Sequence, residues 1–141
     1  MAQAESQQGR RDFVKHSFFK VSPEWRRLPS EAREHSKSQF AEVVAEFSDG
    51  MTLASYSLVG TRADVDFMLW KVSPSLEILD GLAAQLNRTE LGRHLTVPHS
   101  YLAMTRRSPY LDKHRHEGQE GSGETVRTVG RDYLFVYPFV K

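Results

Sequence analysis

The sequence predicts an α+β fold in which two helices cover one face of a four-stranded antiparallel sheet. Stretches with strand character and stretches with helical periodicity follow one another as β-α-β-β-α-β over residues 13–107. The apolar run Phe67-Met68-Leu69-Trp70 is typical of a central strand that is covered on both faces. This order of elements is that of the ferredoxin-like unit. Its second sheet face must be covered by a second sheet, a ligand or another subunit.

The first half of the unit contains a strand and a helix. Phe13–Val21 is dense in β-branched and aromatic residues and predicts the first strand, which Ser22 and Pro23 end. Trp25 is expected in a connection that folds back onto the core. Ser30 is expected to cap a helix that runs to about Phe47. Its apolar stripe consists of Phe40, Val43, Val44 and Phe47.

The second half of the unit contains three strands and a helix. A turn at residues 60–64 joins two strands, and Ser73 or Ser75 caps the second helix, which runs to about Leu86. Residues 89–95 are expected to be irregular or to form a short helical turn. The predicted strands are Met51–Val59, Val65–Val72 and Ser100–Arg107.

Three segments lie outside this unit. Residues 1–12 are polar and predict a disordered tail, and residues 108–131 hold four of the nine glycines and predict a long Gly-rich loop. Residues 132–141 predict a strand, which Tyr133–Lys141 fills. Phe13–Lys20 can be laid over Leu134–Lys141 with apolar or aromatic residues and the final Lys in register. This similarity between the two segments favours an internal duplication. Residues 132–141 would then be the first strand of a second repeat, and the rest of that repeat is absent from the sequence.

Composition excludes several classes of protein. A net charge of +1 is too balanced for a dedicated nucleic-acid binder. The absence of cysteine excludes disulfides and thiolate zinc sites and fits a reducing cytosol, so a cytoplasmic location is expected. No signal peptide is visible, and no apolar run is long enough to predict a membrane span.

The pair Tyr137 and Lys141 is the first candidate site. A spacing of four residues in a strand puts both side chains on one face, where a phenol and an ammonium suit an anionic ligand. Pro138 cannot donate to a strand ladder, so the strand would be distorted or at an edge there. The alternative is an edge strand with an ordinary Tyr and a solubilising Lys.

The histidines predict no metal site. Only His114 and His116 form a close pair, and they lie in the Gly-rich loop without a third ligand in register. A solvated loop is the favoured interpretation. The sequence gives no Ser-His-Asp set and no telling pair of carboxylates.

Several segments resemble one known family. Leu58–Met68, with the pattern L-x-G-x-x-A-D-x-x-F/M, is similar to the strand-turn-strand of chlorite dismutase-like haem proteins. Residues 89–95 and 108–111 resemble the segments that follow, and Tyr133–Lys141, with its Tyr-Pro-x-x-Lys core, resembles the strand that opens the family's second repeat. The resemblance covers most of residues 13–141.

The resemblance implies a fold, a cofactor and an assembly. Subunits of that family hold two ferredoxin-like repeats, whose sheets pack together as an α+β barrel, and they often form pentamers. Haem b or coprohaem lies in the second repeat, where a His binds the iron, so no metal ligand is expected in this chain. This chain would be a fragment, one part of a split protein, or a half-unit without haem.

Within the family, the Tyr of Tyr-Pro-x-x-Lys is typical of the coprohaem decarboxylase branch. The resemblance therefore implies that peroxide oxidises the iron, that Tyr137 becomes a radical and that it takes hydrogen from a propionate, which leaves as CO2. Lys141 would contact a propionate, and Tyr110 and Arg127 are further candidate propionate contacts. A chlorite dismutase or haem peroxidase activity, or a non-catalytic assembly half-unit, are the alternatives.

Overall fold

A computed structural model describes residues 11–105 and 132–139 of the 141-residue chain. The predicted order of elements is confirmed, with one added short helix. Of the two expectations for residues 89–95, the structure has the short helical turn, as a 3₁₀ turn at Gly92–His94. The elements are β1 (Phe13–Val21), α1 (Pro23–Arg26), α2 (Ser30–Ser48), β2 (Thr52–Ser57), β3 (Phe67–Ser73), α3 (Leu76–Arg88), a 3₁₀ turn (Gly92–His94) and β4 (Leu95–Met104).

The four strands form one antiparallel sheet in the order β2-β3-β1-β4. β1 and β3 are its inner strands, and every residue of β3 after Phe67 is buried. The two long helices pack on one face only. The ferredoxin-like α+β class is therefore confirmed, as is the central position of the strand that contains Trp70.

The face of the sheet under α2 and α3 holds the larger core and is called the helix face. Phe19 and Leu69 from the sheet pack there with Phe40 of α2 and Leu82 of α3. These apolar residues recur at helical spacing in α2 and α3 and at alternate positions in β1 and β3, which is why one face of each element is buried. Among the described residues, no helix combines the length and apolar character that crossing a membrane requires.

The opposite face of the sheet, called the open face, carries a second apolar cluster. Phe18 of β1 packs there with Val65 and with Met68, Trp70 and Val72, the alternate residues of β3. No helix of the described part covers this cluster. Leu134 and Val136 pack against it instead. The sequence-based expectation that this face needs a covering is consistent with this arrangement.

Asp66 joins the start of β3 to the end of β1. Its carboxylate accepts hydrogen bonds from the backbone N–H of Val21 at 2.8 Å, from Arg26 Nη2 at 2.9 Å and from Lys20 Nζ at 3.4 Å. Burial opposes the charged form, but these donors outweigh it and lower the pKa of Asp66. The carboxylate thus fixes α1 and the turn before β3 against the sheet.

Two details at the starts of helices differ from the sequence predictions. Trp25 does fold back, since its Nε1 donates to Ser36 Oγ at 2.8 Å, but it lies in α1 rather than in a connection. That helix has four residues, too few for a periodic pattern, and Ser22 caps it. The N-cap of α2 is Pro29 without a side-chain hydrogen bond, so the capping role predicted for Ser30 is wrong.

The fourth strand begins five residues earlier than predicted, at Leu95 instead of Ser100. Pro98 argues against a strand in the sequence, because proline cannot donate to a strand ladder. β4 is an edge strand, where a proline is tolerated. The register with β1 shifts between Phe18 and Lys20, and this irregularity brings Leu95 opposite Val21. For the second helix, the structure selects Ser75 as the cap.

Candidate functional site

Residues 132–139 lie against the open face with alternate side chains turned toward it. Leu134 and Val136 are partly buried on the open-face cluster, whereas Tyr133, Phe135, Tyr137 and Phe139 are exposed. This alternation is typical of an extended chain with one buried face. The segment forms no ladder with the four strands, so its role as the first strand of a second repeat stays a prediction.

The alternation bears on the overlay of the two proposed repeats. That overlay places Leu134 on Phe13, which packs on the helix face. Leu134 itself packs on the open face. If residues 132–139 opened a second repeat packed on the first, Leu134 would correspond to a residue of the open face and not to Phe13, so the overlay stays a prediction.

Tyr137 points away from the sheet. Its side chain is 70 % exposed, and its ring lies nearly parallel to that of Phe135, with centroids 6.3 Å apart and an interplanar angle of 14°. The phenol is therefore accessible from the side of the segment opposite the sheet. Whether Lys141 shares that side stays a prediction, because Lys141 lies outside the described residues.

A cavity of about 210 Å³ lies between the segment and the open face. The sheet lines it with aromatic rings, among them Phe18, Tyr56 and Tyr101. The segment contributes Leu134, Val136 and Pro138, and Phe135, although largely exposed, also borders it. Tyr137 is not part of this lining. Any space that Tyr137 faces is thus a different one, on the outer side of the segment.

An ionic cluster of Arg62, Asp64 and His99 lies at this cavity. Arg62 Nε and Nη2 donate to the two carboxylate oxygens of Asp64 at 2.8 and 2.7 Å, and His99 Nε2 lies 2.6 Å from Asp64 Oδ2. The hydrogen bonds from Arg62, and then from His99, hold the pKa of Asp64 well below its usual range. Arg62 and His99 line the cavity, and the contacts of Arg62 Nε, Arg62 Nη2 and His99 Nε2 with Asp64 join β4 to the turn before β3.

Sequence reasoning missed this cluster. Asp64 and His99 are 35 residues apart, and no local spacing connects them. The contact depends on the register that pairs His99 with Phe18, and the predicted fourth strand began after His99. A correct start for β4 would have placed His99 on the sheet.

The remaining predicted site residues lie outside the described residues. Tyr110 and Arg127 belong to the segment 106–131, as do His114 and His116, and Lys141 is the last residue. Their predicted roles stay predictions. Among the described residues, no three His, Cys, Asp or Glu side chains are grouped as metal ligands would be.

Comparison with known proteins assigns a family. The family model described as chlorite dismutase matches residues 33–141. The chain belongs to the chlorite dismutase family. The resemblance found in the sequence is thereby confirmed at the level of the family.

Solved structures of chlorite dismutase-family and haem-binding proteins share this fold. Chlorite dismutase from Candidatus Nitrospira defluvii in complex with imidazole matches with a TM-score of 0.70 and 22% identity, over 77% of this chain and 45% of that one. A mutant of that enzyme gives 0.71 and 22%, over 82% and 51%. A haem-binding protein from Thermus thermophilus gives 0.57 and 23%, over 72% and 47%. The chain spans about half the length of these structures.

The described part of this chlorite dismutase-family chain fits a haem group only in part. Its outer row of aromatic side chains, from Tyr133 to Phe139, could contact the rim of a planar ring system. The cavity of about 210 Å³ is smaller than the 300–1,000 Å³ typical of cofactor sites. The described residues thus offer surface for an edge contact to such a ring, and the position of the iron ligand stays a prediction.

Proposed function

We propose that this chain supplies the propionate-side contact of a porphyrin site in a peroxide-dependent coprohaem decarboxylase that forms haem b. The observation that carries the proposal is the exposed phenol of Tyr137, on the outer side of a segment whose other side is seated on the sheet. Its Tyr-Pro-x-x-Lys sequence is the one that resembles the decarboxylase branch.

The geometry suits a substrate with a planar apolar body and anionic arms. Phe135 and Tyr137 present parallel rings on the outer side, where apolar contact area is available. The hydroxyl of Tyr137 can donate a hydrogen bond to a propionate, and the ammonium of Lys141 would supply the opposite charge. Tyr110 and Arg127 are proposed as further propionate contacts.

The proposed chemistry assigns hydrogen transfer to Tyr137. The phenoxyl radical of Tyr137 would take a hydrogen atom from the β-carbon of a propionate and return to the phenol. Loss of CO2 and one more electron then leaves a vinyl group. One peroxide takes the two electrons, the proton released when Tyr137 is oxidised and one proton from solvent, and becomes two waters. The iron of the substrate would pass the oxidising equivalents of peroxide on to Tyr137.

The rest of the site is proposed to come from a second repeat, in the same or another chain. The match to about half the length of the family structures supports this proposal, as does the partly covered open face. That repeat would supply the His that binds iron. A homo-oligomer, pentameric by resemblance, and a cytoplasmic location belong to the same proposal.

The test follows the mass of the porphyrin after coprohaem and peroxide are added to the full-length protein. The Tyr137→Phe variant is expected to lose decarboxylation by a factor on the order of 10² or more, because phenylalanine has no transferable hydrogen. Tyr133→Phe is the matched control, since Tyr133 is exposed on the same side of the segment. Normal decarboxylation by Tyr137→Phe would refute the radical role.

Two alternatives have support of their own. The fold shared with chlorite dismutase favours a chlorite-splitting activity, and release of oxygen from chlorite would separate it from decarboxylation. The open face favours a non-catalytic half-unit that pairs its sheet with another subunit. A defined Soret shift when this chain is titrated with haem would count against the half-unit.

A further inference from the structure

The cavity between the open face and residues 132–139 has two apolar walls. Phe18 and Tyr101 belong to the wall that the sheet supplies, and Leu134 and Val136 belong to the wall that the segment supplies. The rings of Phe18 and Tyr101 meet edge to face, with centroids 5.9 Å apart and an interplanar angle of 82°. Packed aromatic and aliphatic side chains on two opposed sides favour a flat apolar ligand.

The polar side chains at the cavity offer hydrogen-bond donors. Arg62 lines it, and none of its lining residues in the described part of the chain carries a carboxylate. Arg62 uses Nε and Nη2 to hold Asp64, whereas its Nη1 makes no hydrogen bond within the described residues. A guanidinium only donates hydrogen bonds, so this nitrogen suits an acceptor, above all a carboxylate oxygen.

The surroundings of Arg62 let an anionic group bind without complete burial. The side chains of Arg62 and His99 are 49% and 37% exposed. A carboxylate placed on Arg62 would therefore stay partly hydrated, which avoids the cost of burying a charge. Asp64 offsets part of the positive charge, so the apolar walls would supply most of the affinity and Arg62 would orient the ligand.

The volume of the cavity limits the size of the ligand. An apolar cavity of about 150 Å³ is large enough to bind benzene. The cavity of about 210 Å³ therefore has room for one six-membered ring that carries a small substituent. It is too small for the body of a porphyrin.

We propose that this cavity binds a single-ring aromatic carboxylate, with the ring between the two apolar walls and the carboxylate on Arg62. The site lies on the inner side of the segment, whereas Tyr137 is exposed on the outer side. The inference is thus independent of the chemistry proposed for Tyr137, and it can be tested without a porphyrin.

The proposed ligand and the seated position of the segment would stabilise each other. Leu134, Val136 and Pro138 form one wall of the cavity, so the complete site exists only while the segment is seated. A ligand that contacts both walls favours the seated state by a factor that grows with its concentration over its dissociation constant. The ligand would thereby fix the segment that presents Tyr137 on its other side.

The experiment is an NMR titration of this chain with benzoate as the probe. We expect the methyl groups of Met68, Leu134 and Val136 to shift together, with a dissociation constant on the order of 1 mM for so small a ligand. Contacts between the benzoate ring protons and methyl groups of both walls should appear in NOE spectra. The methyl groups of Leu82, which is fully buried in the core of the helix face, should not shift.

Two related compounds separate the ring from the charge. Benzyl alcohol keeps the ring and has no charge, so it should shift the same methyl groups and bind about three- to tenfold more weakly than benzoate. Acetate keeps the carboxylate and has no ring. It should leave these methyl groups unshifted at the concentrations that saturate the site with benzoate.

Substitution of Arg62 tests the contact with the carboxylate. Arg62→Gln should weaken benzoate about three- to tenfold and leave the affinity for benzyl alcohol unchanged. Arg93→Gln is the matched control, because Arg93 forms a similarly exposed ion pair with Glu90 and does not line the cavity. It should leave the affinity for both compounds unchanged.

Substitution of Leu58 tests the location of the ring. Leu58 lines the cavity, so Leu58→Trp should fill part of it and reduce the binding of benzoate and benzyl alcohol alike. Val59→Trp is the matched control, since Val59 is 68% exposed and is not a lining residue. If Leu58→Trp does not fold, the NOE contacts of the unsubstituted chain still locate the ring.

Three results would overturn the inference. The methyl groups of both walls could remain unshifted at about 10 mM benzoate. The shifts could include Leu82 or spare Leu134 and Val136, which would place the ligand elsewhere. Arg62→Gln could also bind benzoate as tightly as the unsubstituted chain, which would remove the carboxylate from Arg62.

Discussion

Lys71 is a buried charged residue that destabilises the fold. It lies on the helix face of β3, only 3 % exposed, and its Nζ donates to Ser17 Oγ at 2.8 Å. Lys15 is directly opposite on β1, so two like charges face each other. Among the described residues no carboxylate pairs with Lys71. Burial, and then the charge of Lys15, lower the pKa of Lys71 to about 8.

This lowered pKa makes stability depend on pH in the alkaline range. Between pH 8 and the ordinary lysine value of 10.5 the unfolded chain binds more protons than the folded one, so stability rises with pH across that window. Below pH 8 the buried, charged Lys71 lowers the free energy of unfolding by its full amount, up to about 3 kcal/mol. We expect Lys71→Met to raise the free energy of unfolding at pH 7 by about 1–3 kcal/mol and to abolish the alkaline rise.

Urea unfolding at pH 7 and pH 10 measures both effects. Lys37→Met is the matched control, because the Lys37 side chain is half exposed and pairs with Glu34 on the surface of α2. It should change the free energy of unfolding by a few tenths of a kcal/mol at either pH. A Lys71→Met variant that is less stable at pH 7, or that keeps the alkaline rise, would contradict the argument.

At the scale of the element, Gly81 in the middle of α3 and Gly92 in the 3₁₀ turn after it differ in what surrounds them. A Cβ at Gly81 would lie 3.4 Å from the ring of Phe47, which is ordinary contact. A Cβ at Gly92 would lie 1.9 Å from the carbonyl oxygen of Leu86, which no side chain can tolerate without movement of the backbone. Gly92 thus lets the chain pass closely under the end of α3 before β4 begins.

Alanine at these two positions should act in opposite directions. Gly81→Ala is expected to stabilise the protein by roughly 0.5–1 kcal/mol, because glycine is a poor helix former. Gly92→Ala is expected to destabilise it by about 1–3 kcal/mol, because the backbone must move. Each variant is the control for the other in thermal or urea unfolding. Equal effects of the two substitutions would contradict this assignment.

The sequence predicts the elements well wherever a pattern repeats along the chain. The β-branched and aromatic residues of β1, the apolar stripe of α2 and the apolar run of β3 extend over many residues, and the predicted bounds of these elements are close to those of the structure. α1 has too few residues for a pattern, and Pro98 interrupts the pattern of β4.

The candidate site is less predictable because it depends on contacts between distant residues. Tyr137 and Lys141 could be proposed from their spacing and their resemblance to a family motif. The side toward which Tyr137 points could not be predicted, because it depends on which residues of the segment pack on the sheet. The contact of His99 with Asp64 and the cavity that His99 lines likewise exist only once β1 and β4 are in register.

For the whole molecule, the two faces of one sheet are covered in different ways. Two long helices pack over the helix face, whereas two partly buried side chains of one segment cover the open face in the described part of the chain. Trp70 and Met68 are nonetheless almost completely buried on that face. Because this sheet has apolar residues on both faces, its stability requires a covering layer on the open face as well as the helices on the other.

Charges placed on the inner side of the segment should therefore uncover the open face. We expect Leu134→Asp combined with Val136→Asp to expose the Trp70 indole, increase the binding of a hydrophobic dye such as ANS and lower the free energy of unfolding by about 1–2 kcal/mol, because apolar burial is lost and two carboxylates cannot be seated there. Phe135→Asp is the matched control, since Phe135 is exposed on the outer side of the same segment. Indole hydrogen exchange, dye fluorescence and urea unfolding measure the three effects. If Phe135→Asp exposes Trp70 as much as the double variant does, the side chains that hold the segment are not the ones on its inner side.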